Sequence, residues 1–205
     1  VDKFLPPYKP LHVLHPDKPI TMGAFGMPEI YSEAKKAQDI ALRGSYPVIL
    51  EVWKEWGDLT GRHYHPMETY RMEGAKIALL TMGSFGEIAM EAVDRMREKG
   101  IPVGLLKLRL WRPFPFEDIR QAVQGLETLV VLDRAISFGG IGGPVCSEIK
   151  AALYQQPKRP KIFSFIAGLG GRDVPPEQFE EMIEQAMKMK GKKKVEEFTT
   201  IGIRG

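Results

Sequence analysis

The sequence predicts an α/β fold, a mostly parallel sheet with helices on both faces. Three observations carry that prediction. Apolar runs at 77–83, 103–110 and 129–132 are separated by segments with helical spacing. Each run is continuous rather than alternating, as a parallel strand buried on both faces requires. The resulting order of strand, helix, strand, helix, strand is that of a sheet whose crossovers are helical.

The N-terminal third reads differently. Residues 1–31 hold Pro6, Pro7, Pro10, Pro16, Pro19 and Pro28, with Gly23 and Gly26. Proline removes a donor and fixes φ, so an extended linker is expected there. His12 and His15 stand three apart, but no helix is expected among these prolines to pair them on a metal. Over 29–44, Ile30, Ala34, Ala37, Ile40 and Ala41 share a helical face, with Gly44 as the stop. Residues 48–55, around Trp53 and Trp56, read as a second helix or a strand. Residues 57–66 read as a loop. His63 and His65 fall two apart in it without a third ligand type nearby, so no metal site is expected. Leu59, Met67, Tyr70 and Met72 are apolar anchors. Residues 1–73 thus read as the end of one domain plus a linker.

Residues 74–190 read as the layered domain. After the run at 77–83, a helix over 85–99 turns Ile88, Ala92, Val93 and Met96 to one side, and Gly100 stops it. The second run leads into Trp111-Arg112-Pro113-Phe114-Pro115, then a helix at 116–123 and the third run, closing at Asp133-Arg134. A turn holding Gly139, Gly140, Gly142 and Gly143 precedes a helix at 145–154. A fourth strand at 161–167 ends in Gly168-Leu169-Gly170-Gly171-Arg172-Asp173. Pro175-Pro176 and then Glu177 open a last helix reaching about 189, the expected start signal. The tail, 191–205, is basic and then mixed, a flexible end or an arm onto a partner.

Composition excludes several classes. The 205 residues carry a formal charge of +3, drawn largely from the lysines of 188–194, which gives no footprint for nucleic acid. The single cysteine, Cys146, permits no internal disulfide and cannot alone supply a zinc or iron–sulfur site, so a reducing, cytoplasmic setting is expected. No apolar stretch approaches the roughly 18 residues of a membrane span. The chain opens at Val1 and runs straight into Leu5-Pro6-Pro7-Tyr8, as expected of a piece of a larger protein.

Neither glycine cluster has the G-x-G-x-x-G spacing of a dinucleotide site, and no Gly-Lys-Ser/Thr of a P-loop is present. Ligands of open α/β sheets bind beyond the strand carboxyl ends. The anion or interface candidates there are Ser84, Arg112, Arg134, Ser137, Gly139, Gly140, Arg172 and Asp173. Residues 74–190 contain no histidine, so no Ser-His-Asp set can form. Asp133 and Asp173 could act as acids or bases, or equally as caps or ion-pair partners. No catalytic or metal residue is assigned.

Leu5-Pro6-Pro7-Tyr8, the run at 77–84, Leu108-Arg109-Leu110-Trp111-Arg112-Pro113-Phe114-Pro115, the stretch 131–139 and Gly168-Leu169-Gly170-Gly171-Arg172-Asp173-Val174 resemble the C-terminal half of the alpha subunit of pyruvate:ferredoxin oxidoreductase. The related 2-oxoisovalerate enzymes are similar over the same stretch. The resemblance implies that residues 1 to about 70 finish a domain that helps hold thiamine diphosphate. It implies a transketolase C-terminal-like domain from about 74. It further implies oxidative decarboxylation of a 2-oxoacid to an acyl-CoA, with thiamine diphosphate and Mg, and with iron–sulfur clusters passing electrons to ferredoxin. By the same resemblance those cofactors lie on other domains or subunits. The partners implied are beta, gamma and delta subunits and a second alpha. This piece would be scaffold and interface, inactive alone. A stand-alone anion- or nucleotide-binding module using 139–143 and 168–173, or a pure assembly element, are the competing expectations.

Overall fold

The computed structural model describes residues 3, 5–23 and 25–204, in two compact units, 1–64 and 65–205. In the first, the described residues of 5–27 form neither helix nor strand, as the prolines predict. His15 turns back on its own loop, its Nδ1 accepting the Asp17 N–H at 3.2 Å.

The expected break after Gly44 does not occur. A single 33-residue helix, α1, spans Pro28–Thr60 with Pro47 inside it, about 50 Å of helix at 1.5 Å per residue. Pro28 starts it well, since the first turn needs no N–H there. Pro47 forfeits one ladder bond, but long stretches of helix-forming sequence on both sides keep the ladder going. The helix stops at Gly61, which is left-handed and donates its N–H to the Gly57 carbonyl at 2.8 Å. His63 folds over buried Gly57, where a Cβ would fall 2.3 Å from its Nδ1. Trp53 meets Tyr64 edge-on at 6.3 Å.

The second unit is a six-stranded sheet ordered β1-β3-β2-β4-β5-β6. Its elements are β1 Met67–Tyr70, β2 Ile77–Met82, α2 Phe85–Glu98, β3 Val103–Leu108, α3 Phe116–Ala122, β4 Thr128–Asp133, α4 Pro144–Leu153, β5 Lys161–Ile166, α5 Pro176–Lys190 and β6 Thr199–Thr200. All neighbours pair in parallel except β1, which runs antiparallel to β3. Successive side chains of a strand point to opposite faces, and both faces are apolar here. Ile77, Leu79, Val130 and Leu132 join α2 and α5 in one core with Phe165 and Phe179. Ala78, Leu80, Leu129 and Val131 join α3 and α4 in the other with Ile149 and Leu153. The helices lie on both faces of the sheet, as predicted.

Two edges differ from the sequence expectation. Residues 67–70, read as linker anchors, are a strand of the sheet, and Tyr70 also donates its hydroxyl to Asp94 at 2.9 Å. The tail is neither flexible end nor free arm: Thr199–Thr200 pairs beside β5, the Ile201 N–H reaches the Ile166 carbonyl at 2.9 Å, and Ile201 is buried. Strands this short carry no periodicity of their own, so only pairing reveals them.

At the β1 edge, Glu68 faces Lys107 in register. It takes both prongs of Arg109, at 2.7 and 3.0 Å, with Lys107 Nζ at 3.5 Å. The Arg109 hydrogen bonds hold its carboxyl below the ordinary 4.5 of glutamate, against some burial. A carboxylate depressed in the folded state stabilises above its unfolded pKa, and that share is lost as pH falls through the folded value. Glu68→Gln is expected to cost about 1 kcal/mol at about pH 7. That cost should fade below pH 4.5, as urea denaturation across the acid range will show.

Candidate functional site

The strand order determines where a ligand crevice would open. β2 sits between β3, reached through α2, and β4, reached through α3. The chain therefore reverses its direction across the sheet between β2 and β4. Loops leaving two such strands diverge, opening a crevice at their carboxyl ends.

Here protein side chains fill that crevice. The β2–α2 loop, Gly83-Ser84, delivers Phe85, only 8% exposed and edge-on to Phe179 at 5.9 Å. From the end of β4, the Arg134 guanidinium lies over the Phe85 ring at 5.2 Å, and its Nε donates to the Gly168 carbonyl at 3.1 Å. Gly168 has φ +70°, and a Cβ there would meet the Phe85 ring at 2.6 Å. Glycine is thus required at 168 by conformation and by contact, without any ligand. Arg134 and the 168–173 turn, both predicted candidates, are brought together; the ring between them was missed. Phe85 reads only as the first residue of a helix in sequence.

Asp133, one residue earlier, is 1% exposed. Its Oδ1 accepts the Val145 N–H at 2.7 Å and its Oδ2 the Cys146 N–H at 3.0 Å. It therefore caps α4 from a neighbouring strand, satisfying amides that have no partner within the helix. Burial pushes its carboxyl up, while the amides of Cys146 and Val145 pull it back down. Of its possible roles, the structure selects the cap. The close approach requires Gly143, where a Cβ would lie 2.0 Å from the carboxylate carbon.

Ser137, Gly139 and Gly140 lie in a small hairpin between β4 and α4. The Ser137 N–H bonds the Gly142 carbonyl and the Gly140 N–H the Ser137 carbonyl, both at 3.0 Å. The hairpin raises Phe138 and Ile141 into solvent, 92% and 64% exposed. These two apolar residues were missed, although their setting among four glycines is a signal: a turn of that kind leaves no backbone framework for a core.

Arg112 stands apart from that group. Its guanidinium lies over Trp111 at 5.0 Å and Phe114 at 5.9 Å and pairs with Glu148 of α4 at 2.7 Å. The Arg112–Pro113 peptide is cis. Arg172 donates to the Gly202 carbonyl and ties the tail down, and Asp173 is exposed beside it. Ser84 starts α2 without a side-chain cap and lines an open pocket of about 440 Å³ with Gly83, Glu87, Lys107 and Arg109. The pocket's cations already face carboxylates: Lys107 reaches Glu87 at 3.1 Å and Arg109 reaches Glu68.

The cofactors implied by the resemblance do not fit these residues. Cys146 is a lone thiol inside α4, and burial pushes its pKa up, away from the thiolate a cluster needs. Among the described residues no group of three His, Cys, Asp or Glu could hold the Mg of a diphosphate. The amides at the start of α4 are already taken by the Asp133 carboxylate and so do not face a ligand anion. Among the described residues no helix is long and apolar enough to cross a membrane.

The pyruvate synthase subunit PorA of Methanothermobacter thermautotrophicus is 40% identical over 185 residues, covering 90% of this chain and 47% of that protein. PorA of Pyrococcus furiosus is 37% identical over 206 residues, 100% of this chain and 52% of that protein. The ketoisovalerate oxidoreductase subunit VorA of Pyrococcus horikoshii is 41% identical over 175 residues, 84% and 44% of the two chains. The chain thus spans about half the length of the curated relatives it matches. The model of the pyruvate:ferredoxin oxidoreductase core domain II matches residues 75–179, from just before β2 to the Phe179 ring that backs the crevice. With more than half its residues in that match, the chain belongs to the pyruvate:ferredoxin oxidoreductase core domain II family.

Proposed function

We propose that this chain is part of the alpha subunit of a pyruvate or other 2-oxoacid:ferredoxin oxidoreductase and serves there as scaffold and subunit interface. The complete enzyme would decarboxylate its 2-oxoacid oxidatively, transfer the acyl group to coenzyme A and reduce ferredoxin. Thiamine diphosphate with Mg, and iron–sulfur clusters, would be held by polypeptide outside this chain. Residues before β1 would finish the thiamine-side domain, and beta, gamma and delta subunits with a second alpha would be the partners.

The observation that carries the interface role is the pair Phe138 and Ile141, 92% and 64% exposed on a hairpin beside the filled crevice. Water gains nothing from two large apolar side chains, and a partner that covers them does. The stand-alone anion-binding reading is not favoured. Phe85 abuts one glycine turn, and the helix amides after the other bond a carboxylate of the protein itself.

Phe138→Ser combined with Ile141→Ser is expected to weaken recovery of the assembled enzyme by about tenfold or more, the loss of a buried apolar anchor. Folding of the subunit should be unaffected, because neither residue touches the core. Size-exclusion chromatography of co-expressed subunits reads this out, and assembly at the wild-type level would remove the interface role. Turnover of pyruvate by the isolated chain, given coenzyme A, thiamine diphosphate and ferredoxin, would overturn the scaffold assignment.

A further inference from the structure

At the opposite end of the sheet, between the end of α5 and β6, an open pocket of about 380 Å³ carries a concentration of positive charge. Lys188, Lys192 and Lys194 line it against a single carboxylate, Glu196. All three lysines are exposed, and none pairs with a carboxylate among the described residues. Their neighbours are already engaged. Lys190 pairs with Glu127, and Lys161 donates to the carbonyls of Lys190 at 2.9 Å and Lys192 at 3.2 Å. Lys161 thereby offsets the negative end of the α5 dipole, which would otherwise oppose an anion beside it. The floor is apolar: Met189 and Val195 are half-buried and pack on the core beneath.

We infer that this pocket binds a phosphate-bearing organic molecule of nucleotide size, its phosphates on Lys188, Lys192 and Lys194 and its less polar body on Met189 and Val195. The concave shape and the convergence of three lysines over an apolar floor favour a small anion with a less polar body. Lysine ammoniums meet phosphate oxygens as point charges from several directions. The site is separate from the strand carboxyl edge and is independent of the hairpin that carries the interface.

Calorimetry on the assembled enzyme, with ATP as the probe at up to about 1 mM, tests this. ATP is expected to bind, more weakly as salt rises. Combined Lys188→Glu, Lys192→Glu and Lys194→Glu is expected to weaken binding by about thirtyfold or more, three charge-assisted contacts at about threefold each. Lys158→Glu, on a surface turn outside the pocket, should leave it unchanged. Should the triple variant fold poorly, Lys192→Gln alone is expected to weaken ATP by about threefold with an unchanged melting temperature. No binding, or binding indifferent to these variants, overturns the inference. So does inorganic phosphate binding as tightly as ATP, which removes the apolar floor's role. Displacement of ATP by polyglutamate at lower concentration overturns it too, and assigns the patch to an acidic protein.

Discussion

Phe179→Ala is expected to cost about 4 kcal/mol, read as a lower urea midpoint at unchanged slope. Phe179 is fully buried on α5, in the core that α2 and α5 form over one face of the sheet. Removing its ring leaves a cavity between elements that cannot close, because both helices are held by many other contacts across the sheet. The loss does not stop there. Phe179 backs Phe85 at 5.9 Å, and Phe85 carries Arg134 at 5.2 Å. The truncation should therefore loosen the plug of the switch-point crevice, and hydrogen exchange should speed up in the 168–173 turn. Phe179→Leu keeps most of the volume and is expected to cost less, about 1.5 kcal/mol. Equal costs for the two variants would show that volume is not what Phe179 supplies.

Asp133→Ala is expected to cost about 3 kcal/mol, because it strands two buried amides at the start of α4. Asp133→Asn should cost nearly as much. Val145 and Cys146 each bond a different carboxylate oxygen, so the amide variant turns an NH2 group onto one donor. A free acid would be mimicked by asparagine with little loss; a two-pronged cap would not. Burial also raises the Asp133 carboxyl pKa. A group whose folded pKa lies above its unfolded one favours the fold most while protonated. This residue's share of stability thus falls as pH rises from its ordinary 3.8 through the raised folded value. Glu68 has the opposite sign. The difference in stability between wild type and Asp133→Asn should therefore change with acid in the direction opposite to that of Glu68→Gln. Gly143→Ala probes the same contact from the other side. A Cβ 2.0 Å from the Asp133 carboxylate carbon must displace the cap, for about 2 kcal/mol.

How much of this was legible beforehand depends on whether a residue's role is local. The runs 77–83 and 103–110, the spacing of Ile88, Ala92, Val93 and Met96, and Pro176 before Glu177 all act through neighbours in sequence, so their elements could be placed within a residue or two. Gly44 misled because a local stop signal was outweighed by helix-forming sequence on either side of it. Among the candidate residues, Arg134 and the 168–173 turn were grouped by their position after strands, and the structure brings them into contact. The same rule grouped Arg112 with them, although its partners are Trp111, Phe114 and Glu148. Phe85 as a plug, and Asp133 as the cap of a helix that begins 11 residues further on, were open to no local rule.

By itself the sequence determined a mostly parallel α/β sheet with helices on both faces, since continuous apolar runs and helical spacing follow from burial on two sides. It also determined the family, through motifs at the strand ends. Only the tertiary structure decided that the crevice between β2 and β4 is closed by Phe85 and Arg134, that β1 and β6 complete the sheet, and that Phe138 and Ile141 face solvent. The reason is physical: periodicity records whether a residue is buried, but which residues meet is a matter of strand order, and strand order joins positions far apart in the chain.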